Sequence, residues 1–325
     1  MDVVLAAELS DSDGALYDAF VDAATSGHYS QTRRWAPVAC AGKSVQSAYF
    51  LARDEGRVIA AAQILRPKFG PLHLPVVIVE RGPVCETPEI LEQILPLLLG
   101  ALRRVARVSV MPYFASEEKK IAEQSLARSG FRDAQRASGA HTRTLRIDLR
   151  EKKEGELFSG GERESLRRKL KQAEKAGARV RRGDRADVAM LEQLHGAMMK
   201  SQAKRTKPHA YFEALANFLE HSDRGAIFIA EHEQKAIAAL LAIAHGGLAT
   251  FVIGATSQEP LPFSKMAPAL AEAIRWAHAR GCASFDLGGI PAQNDADPKR
   301  ISIAQFKFEF SKSPVDLTRE HARWF

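Results

Sequence analysis

The chain has few of the residues that staple or metallate small folds. Its 325 residues include three cysteines, Cys40, Cys85 and Cys282, far apart and without a CxxC pair. That spacing excludes a disulfide framework, argues against a zinc site and fits a reducing compartment, so no metal is expected. Neither a Gly-x-Ser-x-Gly nor a His-Glu-x-x-His motif occurs, and no Ser-His-Asp or Cys-His arrangement declares itself. Long apolar runs are missing too. The longest, Ile94 to Leu102, contains Pro96 and leads into Arg103-Arg104, too short to span a bilayer. Met1 to Ser10 lacks a signal-peptide core and carries Asp2 and Glu8. A cytoplasmic protein is expected, with any membrane contact peripheral, at the inner face. Hydrophobic residues at 46% and charged residues at 26% exclude wholesale disorder.

What is present is positive charge, unevenly placed. The chain holds 46 Lys+Arg against 39 Asp+Glu, a formal net charge of +7. Residues 1–150 hold 19 basic and 17 acidic side chains, residues 151–207 hold 16 and 9, and residues 208–325 hold 11 and 13. The whole excess therefore equals that of one central window. A local cationic surface favours phosphate-rich partners, although a solvated basic helix has the same composition.

The sequence also repeats. Residues 49–62 (YFLARDEGRVIAAA) and 227–240 (IFIAEHEQKAIAAL) are identical at six of 14 positions, among them Phe50/Phe228, Ala52/Ala230 and Glu55/Glu233. Each is an apolar run, a short charged turn and a second apolar run, which predicts a β-hairpin. Each hairpin is followed by a strand (76–80; 248–254), a helix (about 87–105; about 263–279) and another strand (107–111; 283–287). Helical segments near 14–25 and 187–221 precede them. The glycine-containing, charged stretch 151–163 reads as a connection, and residues 163–176 as a helix stopped by Gly177. The expected division is residues 1–150, residues 151–315, and a tail of about 316–325 returning to the first part.

Six pieces in order carry a family resemblance: Ser30-Gln31-x-x-x-Trp35, Arg81-Gly82-Pro83-Val84, and Arg168-Lys169-x-Lys171-x-x-Glu174-Lys175-x-Gly177. Lys207-Pro208-x-x-Tyr211-Phe212, Phe285-Asp286-Leu287-Gly288-Gly289-Ile290 and Phe306-Lys307 follow. With the repeat, they make the chain resemble the Fem family of aminoacyl transferases over nearly its whole length. The resemblance implies an α/β (mixed α+β) fold of two tandem acetyltransferase-like (GNAT) domains. The long helical-hairpin arm of some relatives is missing, because Gly177 and a β-like run follow the basic helix at once. It also implies transfer of an amino acid from aminoacyl-tRNA to an amine of a peptidoglycan-precursor peptide, UDP-linked or lipid-linked, by a monomer needing no other cofactor.

Aminolysis of an ester requires a neutral amine, a positioned carbonyl and a stabilised oxyanion, not an enzyme nucleophile. Lys307 is the first catalytic candidate. Alternation of Phe306, Phe308 and Phe310 predicts a strand with Lys307 on its other face. The resemblance places this Phe306-Lys307 pair at the tRNA 3′ end. It also assigns precursor diphosphate to the Lys207 position, where relatives carry arginine, with Arg205 able to assist, and site lining to Tyr211. Lysine neutralises phosphate without the bidentate fork of arginine. Asp286, in a glycine turn, is a second-tier candidate with an alternative structural role. A first-domain lysine that reaches phosphate in relatives has no clear equivalent here; Ala39 falls near it, and Lys43 is the candidate substitute. Arg163, Arg167, Arg168, Lys171 and Lys175 on the basic helix, over a buried stripe of Leu166, Leu170 and Ala173, suit tRNA backbone contact. Two polar positions of relatives are apolar here, Met111 before Pro112 and Ile253 before Gly254.

Two other classes remain open. An acyl-CoA-dependent N-acyltransferase on the same fold would need a pyrophosphate-cradling loop. The corresponding stretches, 81–87 and 254–260, contain Pro and Glu instead. A non-catalytic RNA- or phosphate-binding relative would be served by the basic window alone.

Overall fold

The computed structural model describes residues 1–134, 140–292 and 297–325. It divides into two compact units, Met1–Thr142 with Val315–Phe325, and Arg143–Pro314. The break lies earlier than residue 150 because strand Arg143–Asp148 pairs antiparallel with Ser284–Gly289, well inside the second unit's sheet. The final strand, His321–Trp324, pairs antiparallel with Arg107–Val110 of the first unit.

In the first unit the main path of the sheet runs Asp2–Ala6, Val45–Asp54, Arg57–Phe69, Val76–Val79, Arg107–Val110, His321–Trp324 and Arg132–Asp133. Pairing is antiparallel except between Val76–Val79 and Arg107–Val110, so the sheet is mixed. Both of its faces are covered, which is why its strands read as apolar runs. Alternation sends Phe50 and Ala52 into a core shared with Leu91, Ile94 and Leu98 of helix Leu91–Ala101. Tyr49 and Leu51 enter the opposite core with Tyr17 and Val21 of helix Asp11–Ala23. The Tyr17 and Tyr49 rings meet edge to face at 5.4 Å.

The second unit repeats the plan. Its sheet orders Arg179–Gly183, Gly225–His232, Lys235–His245, Leu248–Thr256, Ser284–Gly289 and Arg143–Asp148. Helices Glu164–Lys175 and Met266–Ala279 cover one face over Phe228, Leu240 and Phe285. Helix Val188–Ser201 packs on strands Lys235–His245 and Leu248–Thr256, with helix His209–Glu220 beside it.

The two hairpins match in detail. Both turn through two residues at positive φ, Glu55 (48°) and Gly56 (81°) in one, Glu233 (49°) and Gln234 (62°) in the other, as the type I′ turn requires. Both carry a bulge after the equivalent alanine, Ala52 in one and Ala230 in the other. The fold is thus two tandem copies of one α/β unit with mixed sheets. The longest helices among the described residues have 14 residues, and no long coiled-coil arm is present. Among the described residues no helix is long and apolar enough to cross a membrane.

Two of the six motif pieces brace the first unit. The Gln31 side-chain carbonyl accepts from the Gln63 amide at 2.7 Å, and its amide donates to the Glu80 carbonyl. A Cβ on Gly82 would come within 2.7 Å of that Gln31 oxygen, so Gly82 is required for close approach rather than for chemistry.

Candidate functional site

Lys307 sits on a helix, not on the strand expected from the alternating phenylalanines. Asp297 caps helix Pro298–Phe308 by accepting from the amides of Lys299 and Arg300, and Pro298 takes the first helical position. Phe306 and Phe310 lie four residues apart and their rings meet at 5.4 Å, so helical i,i+4 spacing was hidden inside the apparent period of two. Lys307, in the last turn, is turned inward and only 9% exposed.

Its ammonium donates to the Gly289 carbonyl at 2.7 Å. That carbonyl belongs to the turn ending strand Ser284–Gly289, where Gly288 has φ +77°. A Cβ on Gly288 would lie 3.5 Å from both the Lys307 Nζ and the Phe251 carbonyl oxygen, so the glycine keeps this corner open. Burial pushes Lys307 down to about 8, against the pull of the Asp286 carboxylate.

Asp286 is 1% exposed and held by neighbouring side chains and backbone. It accepts from the Thr144 hydroxyl, from the Gly288 amide at 2.7 Å and from the Arg146 guanidinium at 3.4 Å. Thr144 and Arg146 lie on strand Arg143–Asp148, Gly288 on the adjoining one. The carboxylate therefore fixes the glycine turn that presents the Gly289 carbonyl to Lys307. Sequence reading missed Thr144 and Arg146, because their partner is 140 residues away along the chain.

Lys207 and Tyr211 do come together. The ammonium stands 5.1 Å from the centre of the Tyr211 ring, a cation–π distance. Lys207 and Arg205 are both exposed on the loop between helices Val188–Ser201 and His209–Glu220. His195, unsuspected from sequence, joins this corner: its Nδ1 lies 3.1 Å from the Thr206 hydroxyl. Burial, then the Lys207 charge, holds its imidazole below the usual histidine value.

The basic helix divides its cations. Arg163 turns inward and donates to the Phe310 carbonyl at 3.0 Å, fixing the chain just past helix Pro298–Phe308. Arg167 donates to the carbonyls of Phe158 and Gly160 while staying exposed. Arg168, Lys171 and Lys175 are exposed and form no ion pair among the described residues. Arg167 and Lys171 border an open groove of about 610 Å³ together with Phe158, Leu170, Glu174 and Arg275. Arg275, invisible to local sequence patterns, lies over the Phe158 ring at 5.4 Å. Lys43 belongs to the first unit, exposed, its ammonium on the Ala39 carbonyl at 2.9 Å.

A match to the acetyltransferase (GNAT) domain family covers residues 161–300. No curated protein matches the chain by sequence. Among solved structures, FemX superimposes with a TM-score of 0.82 at 17% identity, covering 100% of this chain and 98% of FemX. L-PGS from Bacillus licheniformis gives 0.57 at 14% identity, covering 89% and 90%. A tandem GNAT protein from the clavulanic acid biosynthesis pathway gives 0.56 at 9% identity, covering 99% and 98%. The chain has the FemX-like tandem GNAT fold from end to end.

Proposed function

We propose that the protein is an aminoacyltransferase that moves an amino acid from aminoacyl-tRNA to an amine of a peptidoglycan-precursor peptide. The observation that carries this reading is Lys307, a buried ammonium held at a glycine turn in a fold shared with FemX. The acceptor amine, neutral, attacks the ester carbonyl carbon and a C–N bond forms. The carbonyl π pair moves to oxygen, and the Lys307 ammonium stabilises that oxyanion. Collapse breaks the bond to the ribose oxygen, which leaves with the proton lost by the amine. No cofactor beyond the tRNA co-substrate is required. Lys207 and Arg205 neutralise acceptor phosphates beside Tyr211. Arg167, Arg168, Lys171 and Lys175 face the tRNA backbone, while Arg163 supports the chain next to Lys307 from within.

A second reading, an acyl-CoA-dependent N-acyltransferase, draws on the GNAT-domain match. Against it, the loop before helix Met266–Ala279 is closed on itself. The Lys265 ammonium donates to the Ser257 and Glu259 carbonyls at 2.6 and 2.5 Å, where a pyrophosphate cradle needs outward amides. Affinity for tRNA and for CoA, measured across salt, separates the two. The first reading expects salt-steep tRNA binding from several phosphate contacts, and K307A that folds but transfers nothing. Normal turnover by that variant would sink the assignment of Lys307.

A further inference from the structure

At one end of the first unit's sheet, large apolar side chains stand in water. Strand Arg57–Phe69 and its short partner Leu72–His73 form a hairpin whose tip exposes Phe69 by 77% and Leu72 by 68%. Trp324 is 71% exposed. These belong to the same end of the sheet. The Ala106 amide donates to the Pro75 carbonyl at 2.7 Å, and the Phe325 amide to the Ala106 carbonyl at 3.0 Å. Single exposed apolar residues need no explanation, but a cluster at one edge does.

The two chain segments that build this end carry charge of one sign. Residues 66–75 and 99–107 contain Arg66, Lys68, Arg103, Arg104 and Arg107 and no Asp or Glu. Among the described residues Lys68, Arg103 and Arg104 enter no ion pair, whereas Arg107 meets Glu320 at 3.6 Å. The Arg107 guanidinium also lies 5.1 Å from the Trp324 ring centre and holds the indole at the rim. Beneath the hairpin a cavity of about 170 Å³ is lined by Ser47, Arg66, His73 and Leu102 among others.

A nucleic acid would reward the cations but leave Leu72 without a partner. A bilayer interface accepts both sets: aliphatic and phenyl groups enter the acyl boundary, the indole sits at headgroup depth, and the cations meet anionic headgroups. We propose that this end of the first unit docks on an anionic lipid surface, with Phe69, Leu72 and Trp324 inserted and Lys68, Arg103 and Arg104 at the headgroups. The proposal does not depend on the transfer chemistry.

Three tryptophans occur, and Trp35 and Trp276 are buried, so a change in emission on docking reports Trp324. The full chain is mixed with vesicles of phosphatidylcholine alone or with phosphatidylglycerol. Co-sedimentation and a blue shift are expected only with phosphatidylglycerol. Phe69→Ser with Leu72→Ser should weaken binding at least about tenfold, and Arg103→Glu with Arg104→Glu about fivefold per charge. All four side chains are exposed, and near-UV circular dichroism checks that the variants stay folded. Unchanged emission and no co-sedimentation with phosphatidylglycerol vesicles would overturn the proposal. So would vesicle binding that survives the Phe69/Leu72 double change, or tRNA binding that the same change abolishes.

Discussion

Lys307 makes the structure less stable than it needs to be, and the deficit can be measured without knowing the substrate. Burial takes its ammonium from 10.5 to about 8. At about 1.4 kcal/mol per unit, the folded chain carries roughly 3 kcal/mol of unfavourable charge burial while the amine is protonated in both states. The sign follows from proton counting. Between about pH 8 and 10.5 the unfolded chain binds the proton and the folded chain does not, so this group makes stability rise with pH across that window and adds no slope below it. Lys307→Met removes the titration and fills the space with a side chain of similar length. It also leaves the Gly289 carbonyl without its donor, a loss of about 1–2 kcal/mol. The variant should therefore be more stable than the parent by about 1–2 kcal/mol at neutral pH, and the advantage should shrink and reverse as pH approaches the ordinary lysine value. Urea unfolding of both proteins at a series of pH values gives the difference directly, with all other titrations cancelling. A stability difference independent of pH would refute the reasoning, because the amine would then titrate alike in both states.

Asp286→Asn should lower the Lys307 pKa further, since the carboxylate is the group that raises it. The alkaline limb of transfer should move to lower pH, and NMR titration of the Lys307 amine should move with it; an unmoved amine would remove Asp286 as the positioning residue. Gly288→Val should be destabilised by about 1–3 kcal/mol through backbone strain at φ +77°, with transfer impaired beyond the loss of folded protein. Leu166→Ala, under the basic helix and fully buried, should lose about 2–5 kcal/mol in chemical denaturation, whereas Arg168→Ala on the exposed face should stay within about 0.5 kcal/mol.

The duplicated architecture was legible because burial on both faces of a sheet writes apolar runs, and a type I′ turn writes a short charged break between them. The equivalence of Glu55 and Glu233 proved to reach the backbone: both sit at positive φ beside matched bulges. The helix around Lys307 was not legible. Its apolar residues repeat at two and at four, and only the Asp297-Pro298 cap, with Asp297 ten residues before Lys307, separates the readings. Strand Arg143–Asp148 was misplaced for another reason. A strand's sheet is decided by its partner, and Ser284–Gly289 lies some 140 residues downstream. The same separation concealed Thr144 and Arg146 as the groups that hold the Asp286 carboxylate.

Net charge misleads about where cations act. The window 151–207 looked uniformly cationic, yet several of its basic side chains are neutralised within the second unit. Arg163 meets the Phe310 carbonyl and Glu162, Lys169 pairs with Glu309, and Arg181 is shared between Asp187 and Glu231. Arg168, Lys171 and Lys175 form an exposed row without ion pairs among the described residues, with Arg167 and Arg275 at the adjoining groove. The first 150 residues looked nearly neutral, 19 basic against 17 acidic. Their charges are segregated, however: 12 of those acidic side chains lie within residues 1–92, and none within 66–75 or 99–107. A second cationic edge, rimmed by Phe69, Leu72 and Trp324, is thus invisible to any sum over the domain. Phosphate contact tracks both sites through salt, but only the first unit's edge adds apolar insertion, so raised salt should weaken tRNA binding more steeply than vesicle binding. Equal salt slopes for the two ligands would mean that one cationic surface serves both.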